Sequence, residues 1–225
     1  MRRWAARCSR VVWPRPPSLP WRSRRLSPAR RATSTTIICS PCWRRPASAT
    51  LTAVPGSRLQ LKGDSLDQPA VQAFHRERFA AQGVTPDRLR FRGRDHTHED
   101  HMAAYDEVDV ALDTFPYSYG NTAFEALWMG VPVVTLAAER FAGRMGCSIL
   151  NAAGLTEWVT HTPEAYEACA IGLASDPDAL RRVRLGLRDQ LLRSRLLDGR
   201  AYARHLERTY RQVWRRWCAD AARHG

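Results

Sequence analysis

Residues 109–136, DVALDTFPYSYGNTAFEALWMGVPVVTL, constrain this chain more than any other stretch. Val110, Ala111 and Leu112 form a short apolar run, and a turn-rich loop follows. The spacing from Thr122 to Met129 predicts a helix, which Gly130 ends before a second apolar run through Val133 and Val134. That order is strand, loop, helix, strand, and it requires a parallel pairing. In open parallel sheets ligands sit at the carboxyl ends of the strands, and the next helix aims its first N–H groups at them. Gly120, Asn121 and Thr122 stand at that helix start. Gly120 permits close backbone approach, Asn121 or Thr122 can cap, and Thr122 adds a hydroxyl. The same residues also read as a capping box in which Glu125 returns a hydrogen bond to the backbone near Thr122. Spacing alone leaves the anion site and the capping box both open.

Elsewhere the alternation repeats. After the Pro55-Gly56 turn, residues 57–61 read as a strand with Leu59 and Leu61 on one face. Residues 69–82 read as a helix with Val71, Phe74 and Phe79 on one side, closed by Gly83. Leu89 to Phe91 is a short strand, and residues 144–151 form a helix ending near Gly154. Thr162-Pro163 and Asp176-Pro177 each place a cap before a proline at the first helical position. The last helix, about residues 199–222, carries Tyr202, Leu206, Tyr210, Val213, Trp214 and Trp217 at helical spacing, read as a stripe that packs on the domain. This is an α/β pattern: a Rossmann-like parallel sheet with helices on both faces.

Residues 95–101 hold Asp95, His96, His98, Glu99, Asp100 and His101, which invites a metal reading. Thr97 with Asp100 also makes a capping pattern that starts the helix carrying Met102 and Tyr105, and a solvated helix start needs no metal. Asp106, Glu107 and Asp109 sit at a helix end before an apolar strand and read as solvated rather than metal-binding.

The formal charge of +13 suggests nucleic acid until it is mapped. Residues 1–63 carry thirteen Arg and one Lys with no acidic residue, whereas the remainder holds 21 basic against 22 acidic residues. Residues 1–50, rich in Arg, Pro and Ser, show neither helical nor strand periodicity and are expected to form no stable fold. They fit a transit peptide in composition, a disordered basic arm contacting nucleic acid, or a stretch read out of frame in a GC-rich gene. Cys39 and Cys42 have CxxC spacing without a second pair, so reduced thiols and a cytoplasmic setting are expected. No stretch approaches the length of a membrane span.

The wording of several segments carries a resemblance. DVALDTFPY, EALWMGVPVVTL, Arg144 with Ser148, AAGL, VPGSRLQLK, GVTPDRLRFRGR and the closing YRQVWRRW run in one order from about Val54 to Trp217. Together they closely resemble the C-terminal catalytic half of the O-linked N-acetylglucosamine transferase family, the SPINDLY-type protein glycosyltransferases. The resemblance implies that residues 51–225 are the donor-binding domain of a GT-B glycosyltransferase, binding UDP-GlcNAc or a related sugar nucleotide without metal or cofactor. It assigns Gly120, Asn121 and Thr122 to the diphosphate, and Asp95, His96, His98, His101 and Glu125 to the uridine and ribose. No catalytic residue is assigned. Two departures weaken the grip: Ala104 stands where many members carry a basic residue, and Tyr119-Gly120-Asn121-Thr122-Ala123 replaces a turn richer in threonine. The complete enzyme would transfer the sugar to Ser or Thr of a protein acceptor. The family's N-terminal catalytic domain, the lysine loop before VPGSRL and the TPR repeats find no counterpart in the sequence, so the isolated chain is expected to bind donor without transferring. A non-catalytic nucleotide-binding or partner domain, and a nucleic-acid-binding protein acting through the basic arm, are the alternatives.

Overall fold

The computed structural model describes residues 36–39 and 44–224. Its strands are β1 (Thr36–Cys39), β2 (Arg58–Lys62), β3 (Leu89–Arg92), β4 (Val110–Leu112), β5 (Val133–Leu136) and β6 (Val159–Thr160). They lie in the order β3-β2-β1-β4-β5-β6, and every pairing is parallel. The chain builds outward from β1 to β3, then returns to the other side of β1 for β4. That reversal leaves a crevice at the carboxyl ends of the strands.

The helices are α1 (Arg44–Ala53), α2 (Pro69–Ala80), α3 (His98–Ala103), α4 (Asn121–Trp128), α5 (Met145–Ala153), α6 (Pro163–Ser175), α7 (Pro177–Arg193) and α8 (Gly199–His224). Strand periodicity divides the core between two layers. Val110, Leu112, Val134 and Leu136 pack with Ala47 and Leu51 of α1, Phe79 of α2 and Tyr166 of α6. Ala111 and Val133 turn the other way, toward Met102 of α3, Leu127 of α4, Leu150 of α5 and Leu187 of α7. Each such Leu or Val contributes about 1.5–3 kcal/mol when buried, more than the net value of a typical hydrogen bond, so the side-chain alternation sets the register. The parallel sheet with helices on both faces is therefore as the sequence implies.

Local signals mostly hold. Thr162 accepts from the Ala165 N–H and Asp176 from the Ala179 N–H, each before its proline. Gly154 caps α5 at a φ of 72°, a left-handed conformation that favours glycine.

Three expectations need correction. Residues 36–39 and 44–50, read as outside any fold, belong to β1 and α1. β1 lies between β2 and β4, with Ile37 in register with Leu59 and Val110. A four-residue strand inside arginine- and proline-rich text is too short to show a period, and Pro46 sits in the first turn of α1, where proline is tolerated. Residues 1–35 and 40–43, and with them most of the basic arm and Cys42, lie outside the described residues. Phe74 is largely exposed under the Arg78 guanidinium, and His75 takes the buried position beside Phe79. Finally, the aromatic stripe of α8 does not pack on the domain: Tyr202, Tyr210, Trp214 and Trp217 are exposed. Among the described residues no helix is long and apolar enough to cross a membrane.

Candidate functional site

A pocket of about 600 Å³ opens at the carboxyl edge of the sheet. Lys62, Gly63 and Asp64 reach it from the end of β2, Gly93 to Thr97 from the end of β3, His98 and His101 from α3, and Asn121, Thr122 and Glu125 from α4. Of the residues singled out in the sequence, Asp95, His96, His98, His101, Asn121, Thr122 and Glu125 all line this one pocket. Gly120 stands just behind them as the N-cap of α4.

The start of α3 follows the capping pattern. Thr97 Oγ1 accepts from the Asp100 N–H at 3.1 Å and donates to Asp100 Oδ2 at 2.7 Å. The start of α4 does not. Gly120 offers no side-chain cap, and Glu125 does not return to the backbone there. Its carboxylate bonds His101 instead, with Oε2 at 2.9 Å from Nε2. The capping-box reading of Thr122 and Glu125 is thus overturned, because the histidine of the facing helix takes the carboxylate. Among the described residues the Asn121 and Thr122 N–H groups bond to no protein acceptor, and the positive end of the α4 dipole faces the pocket.

Lys62 is the site residue that sequence reasoning missed. Its ammonium lies 2.7 Å from His101 Nδ1 and 2.5 Å from Asp95 Oδ2. Arg92 holds the other Asp95 oxygen, with Nε at 2.8 Å. Burial pushes the Asp95 carboxyl up, but the hydrogen bonds and charges of Lys62 and Arg92 outweigh it and leave the group below its ordinary value. Tyr105, packed edge-on to His101, is held far above the ordinary phenol value by burial and by the charges of Glu125 and Asp95, so it stays neutral. The available signal for Lys62 was positional: in a parallel sheet a polar residue ending a strand stands at the ligand edge.

A buried network fixes the loop between β4 and α4. Asp113 Oδ2 accepts from Ser118 Oγ at 2.7 Å and Thr135 Oγ1 at 2.6 Å, and Oδ1 accepts from the Thr114 and Tyr119 N–H groups. Burial raises the Asp113 carboxyl above its ordinary value against the pull of these four bonds. Ser118 also accepts from the Gly146 N–H at 2.7 Å, which ties α5 to the loop. At the far end of α4, Arg188 donates to the Trp128 carbonyl at 2.9 Å. The helix is anchored at both ends.

Among the described residues no group of three or more His, Cys, Asp or Glu side chains converges to hold a metal ion. Asp106, Glu107 and Asp109 do not line the pocket. Glu107 pairs with Arg90 at 3.5 Å.

The strand order, the two helical layers and the pocket at the switch point define a Rossmann-like doubly wound domain, the fold of the C-terminal half of GT-B glycosyltransferases. The lipopolysaccharide glycosyltransferase WaaG shares this fold, with a TM-score of 0.52 at 15% identity over 76% of this chain and 46% of its own. The model described as Glycosyl transferase family 41 matches residues 48–206, and the chain belongs to that family. Similar relatives include the rice protein described as a probable UDP-N-acetylglucosamine–peptide N-acetylglucosaminyltransferase SPINDLY, 38% identical over 75% of this chain. The Arabidopsis thaliana protein of that description called SEC is 34% identical over 62% of this chain. A mutant of Thermobaculum terrenum O-GlcNAc transferase superposes with a TM-score of 0.78 at 36% identity, over 92% of this chain and 40% of its own. The chain spans only 18% of the rice relative and 14% of the Arabidopsis one.

Proposed function

We propose that this chain binds the nucleotide of a sugar-nucleotide donor, UDP-GlcNAc or a related UDP-sugar. One observation carries the reading: the His101–Glu125 pair and the open N-terminus of α4 face one pocket at the sheet's switch point. Asn121 and Thr122, with Gly120 behind them, take the diphosphate through backbone N–H groups and the Thr122 hydroxyl. Glu125 and His101 take the ribose, and Asp95, His96 and His98 border the base. In transfer the diphosphate leaves with growing negative charge, and donors already aimed at it lower the barrier without a metal. Two acidic side chains of the site support the metal-free reading, since Asp95 is paired with Lys62 and Arg92 and Glu125 with His101. By its likeness to the SPINDLY and O-GlcNAc transferase relatives, the sugar would pass to a Ser or Thr hydroxyl of a protein. The chain spans a small part of those relatives, so we assign donor binding to these residues and propose transfer for the whole protein.

The test is thermal unfolding of the full chain with UDP. Ligand at a hundredfold above Kd stabilises by about 2.7 kcal/mol, which for a domain of this size raises Tm by roughly 5–10 °C. Thr122→Ala and Glu125→Ala should each remove most of that shift. An equal shift in wild type and both variants would overturn the assignment.

A further inference from the structure

The bond between Lys62 and His101 carries information beyond contact. An ammonium group is a donor only, so at 2.7 Å from Lys62 Nζ the His101 Nδ1 must accept. The ring proton then lies on Nε2, which donates to Glu125 Oε2 at 2.9 Å. A second proton on Nδ1 would point at the ammonium. We propose that Lys62 is a positioning residue that holds His101 as the neutral tautomer with its proton on Nε2, so that His101 in turn orients the Glu125 carboxylate toward the pocket.

Every charged group around the ring fits this reading. Asp95 Oδ2 lies 3.7 Å from Nδ1, where it would be the nearest acceptor for an N–H on that nitrogen. Lys62 contacts both atoms, ion-paired to Asp95 and donating to Nδ1, and so takes the place such an N–H would occupy. Arg92 neutralises the other Asp95 oxygen. On α3 the His98 ring lies beside His101 with centroids 6.1 Å apart, Tyr105 meets it edge-on, and the bonds to Lys62 and Glu125 engage both ring nitrogens. Glu125 therefore receives one fixed N–H on Oε2, and its other oxygen has no protein donor among the described residues. A carboxylate with one oxygen pinned and one open suits the vicinal hydroxyls of a ribose. This last step rests on the donor-binding reading above; the tautomer does not.

The experiment separates the two. The full chain labelled with ¹⁵N-histidine is compared by imidazole nitrogen NMR in wild type, Lys62→Met and Lys62→Arg, and UDP affinity is measured by calorimetry on each. Wild-type His101 should show a bare Nδ1 and a protonated Nε2. In Lys62→Met, Nδ1 should gain a proton facing Asp95, and UDP should bind about tenfold more weakly, a loss of about 1.4 kcal/mol. Lys62→Arg, again donor-only, should restore the bare Nδ1 and most of the affinity. A proton on Nδ1 in wild type, or an unchanged ring in Lys62→Met, would overturn the tautomer assignment whether or not UDP binds. The predicted ring change with undiminished UDP affinity would overturn the positioning role. Failure of wild type to bind UDP with the ring states as predicted would overturn the donor-binding reading and leave the tautomer standing.

Discussion

Asp113 shows how a single buried carboxylate organises a site it does not touch. Four donors converge on it from the loop and from β5, and Gly146 closes the network because only a glycine fits there. A Cβ at Gly146 would lie 2.2 Å from Asp113 Oδ2 and 2.6 Å from Thr135 Oγ1. Neither neighbour can retreat without losing its bonds. Gly146→Ala should therefore destabilise the chain by about 1–3 kcal/mol in urea unfolding, the usual range for overpacking. A change within about 0.5 kcal/mol, the range of an ordinary surface substitution, would show that the network yields. At this scale the sequence was legible in the identities but not in the pairings. Glu125 and His101 were both named from the chain, yet their bond spans 24 residues, and the local capping pattern pointed Glu125 to a different partner. Asp113 and Lys62 carried no local pattern that named their partners, and for Lys62 only its place at a strand end pointed to the site.

Elements read from periodicity divide by whether the period identifies the buried face. In α6 and α7 the caps fall where the proline-linked signals place them, because capping is decided within one turn of backbone. In α8 the aromatic period is real, but the helix extends beyond the body of the domain and its stripe stays exposed. Trp217, at 60% exposure, should cost less than about 0.5 kcal/mol when replaced by Ala, as surface substitutions do. A tryptophan packed in the core would cost about 3–5 kcal/mol, so chemical denaturation of Trp217→Ala decides between the two descriptions. The α4 helix gives the converse case. Its position was legible as strand, loop, helix, strand, whereas its anchoring by Arg188 depends on a contact across 60 residues.

For the molecule as a whole, the consequential element is β1. It is hydrogen-bonded on both sides and joins the β2-β3 half of the sheet to the β4-β5-β6 half. A chain beginning at Leu51 would lack it and would leave two inner strand edges unpaired. Such a truncation should lose cooperative unfolding and expose apolar surface by dye binding, while a chain beginning at residue 34 should retain a single sharp transition. A sharp transition in the shorter chain would mean that β1 is dispensable. The sequence by itself determined the α/β alternation, the caps of α3, α6 and α7 and the residue types gathered at the strand ends, since these depend on side-chain period and turn chemistry within a few residues. Only the tertiary structure decided that Lys62 faces His101 across 39 residues, that His101 and not the backbone holds Glu125, that β1 fills the centre of the sheet, and that the α8 aromatics stay exposed. The physical reason is common to all four. Each depends on which distant surface arrives to compete for a group, and that competition is settled by packing between layers rather than along the chain.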